Sequence, residues 1–291
     1  MATGLARKEL IAIVIDTYYG WQNPRKAFIN SARNLIRKKI EDLPLRVPED
    51  KKENKEYINR YIDNHLEELL EEIYSEELTE AEKNYIKNFI EVGKALKREE
   101  YKVKKMMEEY LETEPMWQWL KNIKGISMVL AINLLRYFNI YKAKHPSSFW
   151  KYAGLHVKDG VAPKRTKGKK LDFNIEARCL LWKVADSFIK QRTPKYRDMY
   201  DRVKKKYLEQ EYPKGYLASK FSKYTKEDTK LTPLHAELRA RRYIAKQFLL
   251  DFWTEWRGRE GLPVTPPYSA KFHSESRDNV GNQKLIASQG D

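Results

Sequence analysis

The stretch best suited to chemistry is Leu120-Lys121-Asn122-Ile123-Lys124-Gly125-Ile126-Ser127-Met128-Val129-Leu130-Ala131-Ile132-Asn133-Leu134-Leu135. Leu120 and Ile123 close one helix, Gly125 supplies a turn conformation that other residues resist, and Ile126 can plug the core. Ser127 can cap a second helix, on which Ala131 lets the two helices approach closely. This is the pattern of a helix-hairpin-helix. Its chemistry is a grip on one phosphate by turn amides and a helix N-terminus, with Lys121 and Lys124 adding charge. The usual hairpin has a second glycine where this chain has Ser127, so the backbone approaches phosphate less closely. An ordinary helix–turn–helix corner without a ligand fits the same residues.

A second stretch follows an aromatic segment, Phe149-Trp150-Lys151-Tyr152-Ala153-Gly154-Leu155. Between His156 and Lys170 stand six basic residues, Lys158, Lys164, Arg165, Lys167, Lys169 and Lys170, against one acidic residue and two glycines. A flexible basic loop of this kind suits a track of phosphates, each neutralised phosphate steepening the salt dependence of binding. The bland alternative is a solvated charge run.

Other chemistries find no support. The five histidines are scattered, and none shares a helical spacing with a second histidine and a carboxylate, as zinc hydrolases require. The 12 glycines form no phosphate-cradling loop of the Walker or dinucleotide type. Cys179 stands among Ala177, Leu180, Leu181 and Trp182 and reads as a core residue. Carboxylate pairs such as Glu67-Glu68, Glu71-Glu72 and Glu99-Glu100 read as solvated helix faces. No metal, cofactor or catalytic residue is expected.

The elements that must position these residues are legible in charge and periodicity. The 291 residues carry a net charge of +16. Residues 1–48 hold 9 basic and 4 acidic side chains, residues 49–112 hold 12 and 19, and residues 113–291 hold 36 and 18. The excess of +18 thus belongs to the C-terminal part, while 49–112 would repel phosphate. Hydrophobic residues make up 41% of the chain, which rules out wholesale disorder. One cysteine excludes an intrachain disulfide, and no apolar run approaches the ~18 residues of a spanning helix. The N-terminus lacks a signal-peptide cleavage site, so an intracellular location is expected, cytoplasmic or nucleoid-associated.

Segment 5–16 suits a buried helix or a strand, and Asn23-Pro24 suits the start of a second helix. Residues 57–73 form an amphipathic helix, and Thr79 with Glu82 resembles a capping box that opens another, running to Leu111. These two read as a long antiparallel helical pair. Further helix-length patterns fall at 115–138, 147–153, 173–190, 194–210 and 233–257, and no period-two alternation occurs. The predicted fold class is all-α, a helical bundle with a helix-hairpin-helix DNA-binding domain and a long antiparallel arm. The predicted divisions are a basic helical segment 1–48, an acidic helical arm 49–112 for self-association, a basic domain 113–260 and a flexible tail 261–291.

The order of hairpin, aromatic-Tyr-Ala-Gly-Leu element, basic loop and Arg-bearing helix resembles one known domain. It is similar to the C-terminal domain of the DEDD-type insertion-sequence transposases, the bridge-RNA-guided recombinases. The matching pieces are Ile123–Ile126, Phe149–Leu155, Glu176-Ala177-Arg178-Cys179-Leu180-Leu181, Tyr196–Lys206 and His235–Arg242, within residues 115–255. The family also has a RuvC-like nuclease half with four metal-binding carboxylates, and a serine just before a glycine in the loop after Ala-Gly-Leu. Here Asp159 precedes Gly160, no serine lies between Ser148 and Ser187, and residues 17–112 are helical by pattern. Asp16 could mimic the first strand-borne carboxylate but reads better as an exposed helix-end residue.

The resemblance implies a DNA-binding protein that grips phosphates with little base specificity. Lys121, Lys124, Gly125 and Ser127 would hold one phosphate, Lys158, Lys164, Arg165, Lys167, Lys169 and Lys170 would track the backbone, and Arg178 would also bind the nucleic acid. Arg239, Arg241 and Arg242 would reach the opposite strand or a second groove. The alternatives are a divergent transposase, recombinase or nuclease with carboxylates elsewhere, a binder of structured RNA, and a purely structural helical protein.

Overall fold

The computed structural model describes residues 2–40, 55–70, 78–157, 161–168 and 170–265. Lys158, Asp159, Lys169, the Pro44–Pro48 break, the linker up to Asn54, Ile73 and the tail beyond Thr265 lie outside them. The fold is all-α. Its described elements are α1 (Ala2–Ile40), α2 (Lys55–Asn64), α3 (Leu66–Glu68), α4 (Glu80–Glu112), α5 (Trp117–Leu120), α6 (Met128–Tyr137), α7 (Pro146–Tyr152), α8 (Ile175–Lys190), α9 (Pro194–Glu209), α10 (Tyr216–Lys220) and α11 (Pro233–Arg259). No strand occurs and no helix is long and apolar enough to cross a membrane among the described residues. The chain divides into two compact units, Met1–Glu109 and Tyr110–Asp291.

In the first unit, α1 runs unbroken through Pro24, where the sequence suggests a new helix start. Proline removes one intrahelical bond, which would have gone to the carbonyl of Gly20. Gly20 and Pro24 are both exposed, so water can serve that carbonyl and the helix continues. Segment 5–16 is therefore helix rather than strand, and Asp16 lies exposed within α1. α1 pairs antiparallel with α4. Arg25 meets Glu100 at 2.6 Å, Phe28 meets Phe89 with ring centroids 5.1 Å apart, and Ile29 lies over Gly93. A Cβ on Gly93 would come within 2.6 Å of the Ile29 side chain, so the glycine sets the helix spacing.

Ala32 and Ile36 of α1 share one buried cluster with Ile62, Leu69, Leu70, Leu78 and Ile86. The basic segment 1–48 and the acidic segment 49–112 thus build a common core. Burying each such aliphatic side chain contributes about 1.5–3 kcal/mol. The capping box is present as read: the Glu82 carboxylate accepts from the Thr79 amide at 2.9 Å, and the Thr79 hydroxyl accepts from the Glu82 amide at 3.2 Å.

The second unit is built around α11. Its buried stripe of Ala236, Ala240, Ile244, Phe248, Leu249, Phe252 and Trp253 packs against α7, α8 and α9. Alanines early in the stripe allow close helix approach, and the large rings later fill the wider end. Trp253 donates its indole N–H to the Ala143 carbonyl at 2.8 Å, so a fully buried ring keeps its polar atom satisfied. Helix starts follow the sequence closely. Ser127, Asn174 and Thr232 cap α6, α8 and α11 with their side chains, and prolines open α7, α9 and α11. Between α9 and α11 a small satellite core of Leu217, Tyr224 and Leu231 folds the 210–232 connection, including α10.

Candidate nucleic-acid interface

The hairpin begins on a single turn, α5, rather than a full helix. Leu120 and Ile126 are buried, and Gly125 adopts φ +94°, a left-handed conformation that side chains resist. The back of the turn is pinned to the α8–α9 corner. The Gly125 carbonyl accepts from the Ser187 hydroxyl at 2.6 Å, and the Lys124 carbonyl accepts from the Thr193 hydroxyl at 2.7 Å. A Cβ at Gly125 would meet those two hydroxyl oxygens at 3.1 and 3.3 Å. The backbone angle therefore calls for glycine, and the space around it is tight. Lys121, Lys124 and Ser127 are left exposed. Ser127 accepts from the Leu130 amide at 3.3 Å, and the preceding amides of α6 have no intrahelical acceptor by helix geometry. Lys121 is partly neutralised by Glu112 at 3.7 Å.

The basic loop leaves α7 through Gly154, which has φ +63°. A Cβ there would lie 2.7 Å from the Phe173 ring, so the loop's two ends touch across this glycine. The ends are tied again by the Asn174 amide donating to the Tyr152 carbonyl at 2.8 Å. The closed base gives the loop a fixed root. Lys164, Arg165, Lys167 and Lys170 are exposed on it, and no carboxylate pairs with any of them among the described residues. Lys158 and Lys169 fall outside the described residues.

The arginines point elsewhere than the sequence reading placed them. Arg239 lies among the rings of Tyr207, Tyr212 and Phe221 and donates to the Tyr212 hydroxyl at 2.9 Å. Arg241 pairs with Asp186 at 2.6 Å and Glu237 at 3.1 Å and stacks on Trp182, with its side chain only 12% exposed. Burial opposes ionisation of Asp186, but Lys190 and Arg241 outweigh it and hold its carboxyl below the usual range. Arg242 donates to the carbonyls of Gly154 at 3.1 Å and His156 at 2.6 Å. These side chains tie α11 to its surroundings: the acceptors are the Tyr212 hydroxyl, the Asp186 carboxylate of α8, Glu237 one turn earlier on α11, and the Gly154 and His156 carbonyls at the loop root. Arg178 likewise donates to the Pro163 carbonyl at 2.9 Å and stacks over Phe173 at 5.0 Å. Cys179 is exposed, not core, since the buried face of α8 is carried by Ala177, Leu180 and Leu181 on either side of it.

The two basic features sit at opposite ends of α8. Arg178 anchors the loop near its N-terminus, and Ser187 holds the hairpin near its C-terminus. Nine residues at 1.5 Å each separate them by about 14 Å along the helix. Lys246, absent from the sequence candidates, lies one turn beyond Arg242 on α11 with its ammonium 4.5 Å from the Trp150 ring centre. The i,i+4 spacing from Arg242 is the signal that would have found it. Among the described residues no group of three or more His, Cys, Asp or Glu side chains converges as a metal site would. Comparisons with protein-family models, with curated proteins and with solved structures give no match.

Proposed function

We propose that the second unit binds DNA through phosphate contacts, with little dependence on base sequence. The observation that carries this reading is the loop: four exposed cations, Lys164, Arg165, Lys167 and Lys170, on a root fixed by Gly154, Phe173 and Asn174. The exposed cations are presented together, and no carboxylate pairs with any of them among the described residues. Lys124 and Ser127, with Lys121 and the Gly125 turn, supply a second phosphate grip at the other end of α8. The likeness of residues 115–255 to the transposase C-terminal domain supports the same partner. Arg239 and Arg241, engaged within the chain, are left out of the contact set.

The test is a fluorescence-anisotropy competition among single-stranded DNA, duplex DNA, four-way-junction DNA and structured RNA at two salt concentrations. Duplex or junction DNA should compete best, with affinity falling steeply as salt rises. Preference for the folded RNA would replace DNA with RNA as the partner. A flat response to all four at low salt would leave a structural helical protein.

A further inference from the structure

We infer that Arg178, Arg242 and Lys246 form a half-buried anion site at the root of the basic loop, built to take one phosphate group. The inference rests on the DNA-binding reading for its source of phosphate, a backbone phosphodiester. The three side chains converge through a traceable set of contacts. Arg242 holds the Gly154 carbonyl, Gly154 abuts the Phe173 ring, and Arg178 stacks on that same ring. Lys246 lies one helical turn from Arg242, over Trp150, whose indole donates to the Lys246 carbonyl at 3.1 Å.

What makes the cluster a site is its missing counter-charge. No carboxylate pairs with any of the three among the described residues, and the acidic groups closest in sequence pair with other residues: Glu237 with Arg241 at 3.1 Å and Asp251 with Lys195 at 2.7 Å. Asp172 faces His156 at 3.4 Å and Glu176 accepts from the Tyr137 hydroxyl at 2.8 Å. Like charges gathered out of water destabilise one another unless an anion joins them. The effect registers on the groups themselves. Burial, then the neighbouring Arg178, lowers Arg242 to about 10, while burial and Arg242 lower Lys246. Burial likewise lowers Arg178. Beside them, the buried Nδ1 of His156 has no hydrogen-bond partner among the described residues, although Arg242 holds that residue's carbonyl. Backbone carbonyls already take some of the arginine N–H groups and fix their orientation, and guanidinium groups have donors to spare.

The experiment uses the full chain, with inorganic phosphate as the probe and sodium chloride at matched ionic strength as the reference. Thermal melting and duplex affinity are measured for the wild type, Lys246→Gln, Arg178→Gln and the control Lys183→Gln, an exposed residue on α8. Phosphate should raise the wild-type melting temperature above the chloride reference, and Lys246→Gln and Arg178→Gln should abolish that rise. Loss of one charge-assisted contact should also weaken duplex binding by roughly tenfold, while Lys183→Gln changes neither quantity. Lys246→Gln carries a further sign test. In chloride it should melt at or above the wild type, because removing a like charge relieves repulsion. A lower melting temperature with the phosphate effect intact would make Lys246 a packing strut and overturn the site. No phosphate effect on the wild type, or an equal effect on all variants, also overturns it. Duplex binding that persists unchanged in both variants would reject the site while leaving the DNA reading in place. A phosphate effect that the variants abolish, in a chain that binds no duplex, would keep the site, assign it to free phosphate and reject the DNA reading.

Discussion

Replacing Lys164, Arg165, Lys167 and Lys170 together with alanine is the perturbation that bears most directly on the loop. All four are exposed and none pairs with a carboxylate among the described residues, so each has a whole charge to offer a phosphate. Each duplex phosphate neutralised contributes about 0.9 to the slope of log affinity against log salt. Four contacts therefore contribute about 3.6. Over a fourfold range of salt, that slope alone changes affinity roughly 150-fold, and the variant should lose this part of the dependence. Folding should be nearly untouched, within about 0.5 kcal/mol, because these side chains are exposed and no carboxylate pairs with them among the described residues. Anisotropy titrations of two labelled duplexes of unrelated sequence, each at several salt concentrations, measure the slope. Both duplexes should change alike. An unchanged slope with a folded variant would remove the loop from the interface. A loss confined to one duplex would replace phosphate tracking with base readout.

Gly154→Ala should lower stability by about 2–4 kcal/mol, since its new methyl meets the Phe173 ring at 2.7 Å and the backbone sits at φ +63°; a melting curve like the wild type's would mean that the loop root is not fixed there. Glu100→Gln should destabilise the first unit by about 3 kcal/mol in chemical denaturation, because Glu100 is 3% exposed and Arg25 would lose its partner. His235 is pushed down to about 4, by burial first and then by Arg239, Lys223 and Lys164. A depressed histidine stabilises fully above its ordinary value of 6.5, and that contribution is lost as pH falls from there toward 4. Between pH 7 and 5 the loss is at most about 2 kcal/mol, and His235→Gln should remove that share of the acid sensitivity.

Much of the fold is legible because its boundaries are set locally. Ser127 before α6, the Thr79–Glu82 box before α4 and the prolines opening α7, α9 and α11 need only neighbouring residues to act. The failures are all tertiary. Nothing near Pro24 announces that Gly20 lies on a wet face, so the unbroken α1 could not be read. Periodicity shows that α1 and α4 each have an apolar stripe, but not that the two pair through Ile29 and Gly93. The 210–232 connection folds on Leu217, Tyr224 and Leu231, three residues too dispersed to make a helical period. The site divides in the same way. The loop cations and the Gly125 turn are visible in sequence because exposure and backbone angle follow from local composition. Glu237, one helical turn before Arg241, is the one local sign that Arg241 is engaged; Tyr212 and Asp186 reach Arg239 and Arg241 only when α11 packs against its neighbours.

The geometry of α8 turns the two proposed phosphate grips into a quantitative question. Successive phosphates on one strand advance only ~3.4 Å along the duplex axis, whereas a major groove is about 12 Å wide. Elements anchored about 14 Å apart along α8 would, on the proposed reading, meet separate parts of a backbone rather than neighbouring phosphates. Groups that far apart act independently, and their effects add to within about 0.3–0.5 kcal/mol. Combining Lys121→Ala and Lys124→Ala with the four loop substitutions should accordingly weaken duplex binding by the sum of the two separate losses. The hairpin's share should be the smaller one, because Glu112 already neutralises part of Lys121. A combined variant no weaker than the loop variant alone would take the hairpin out of the interface. Gly125 would then be retained for folding alone, as the residue that lets the turn lie against Ser187 and Thr193.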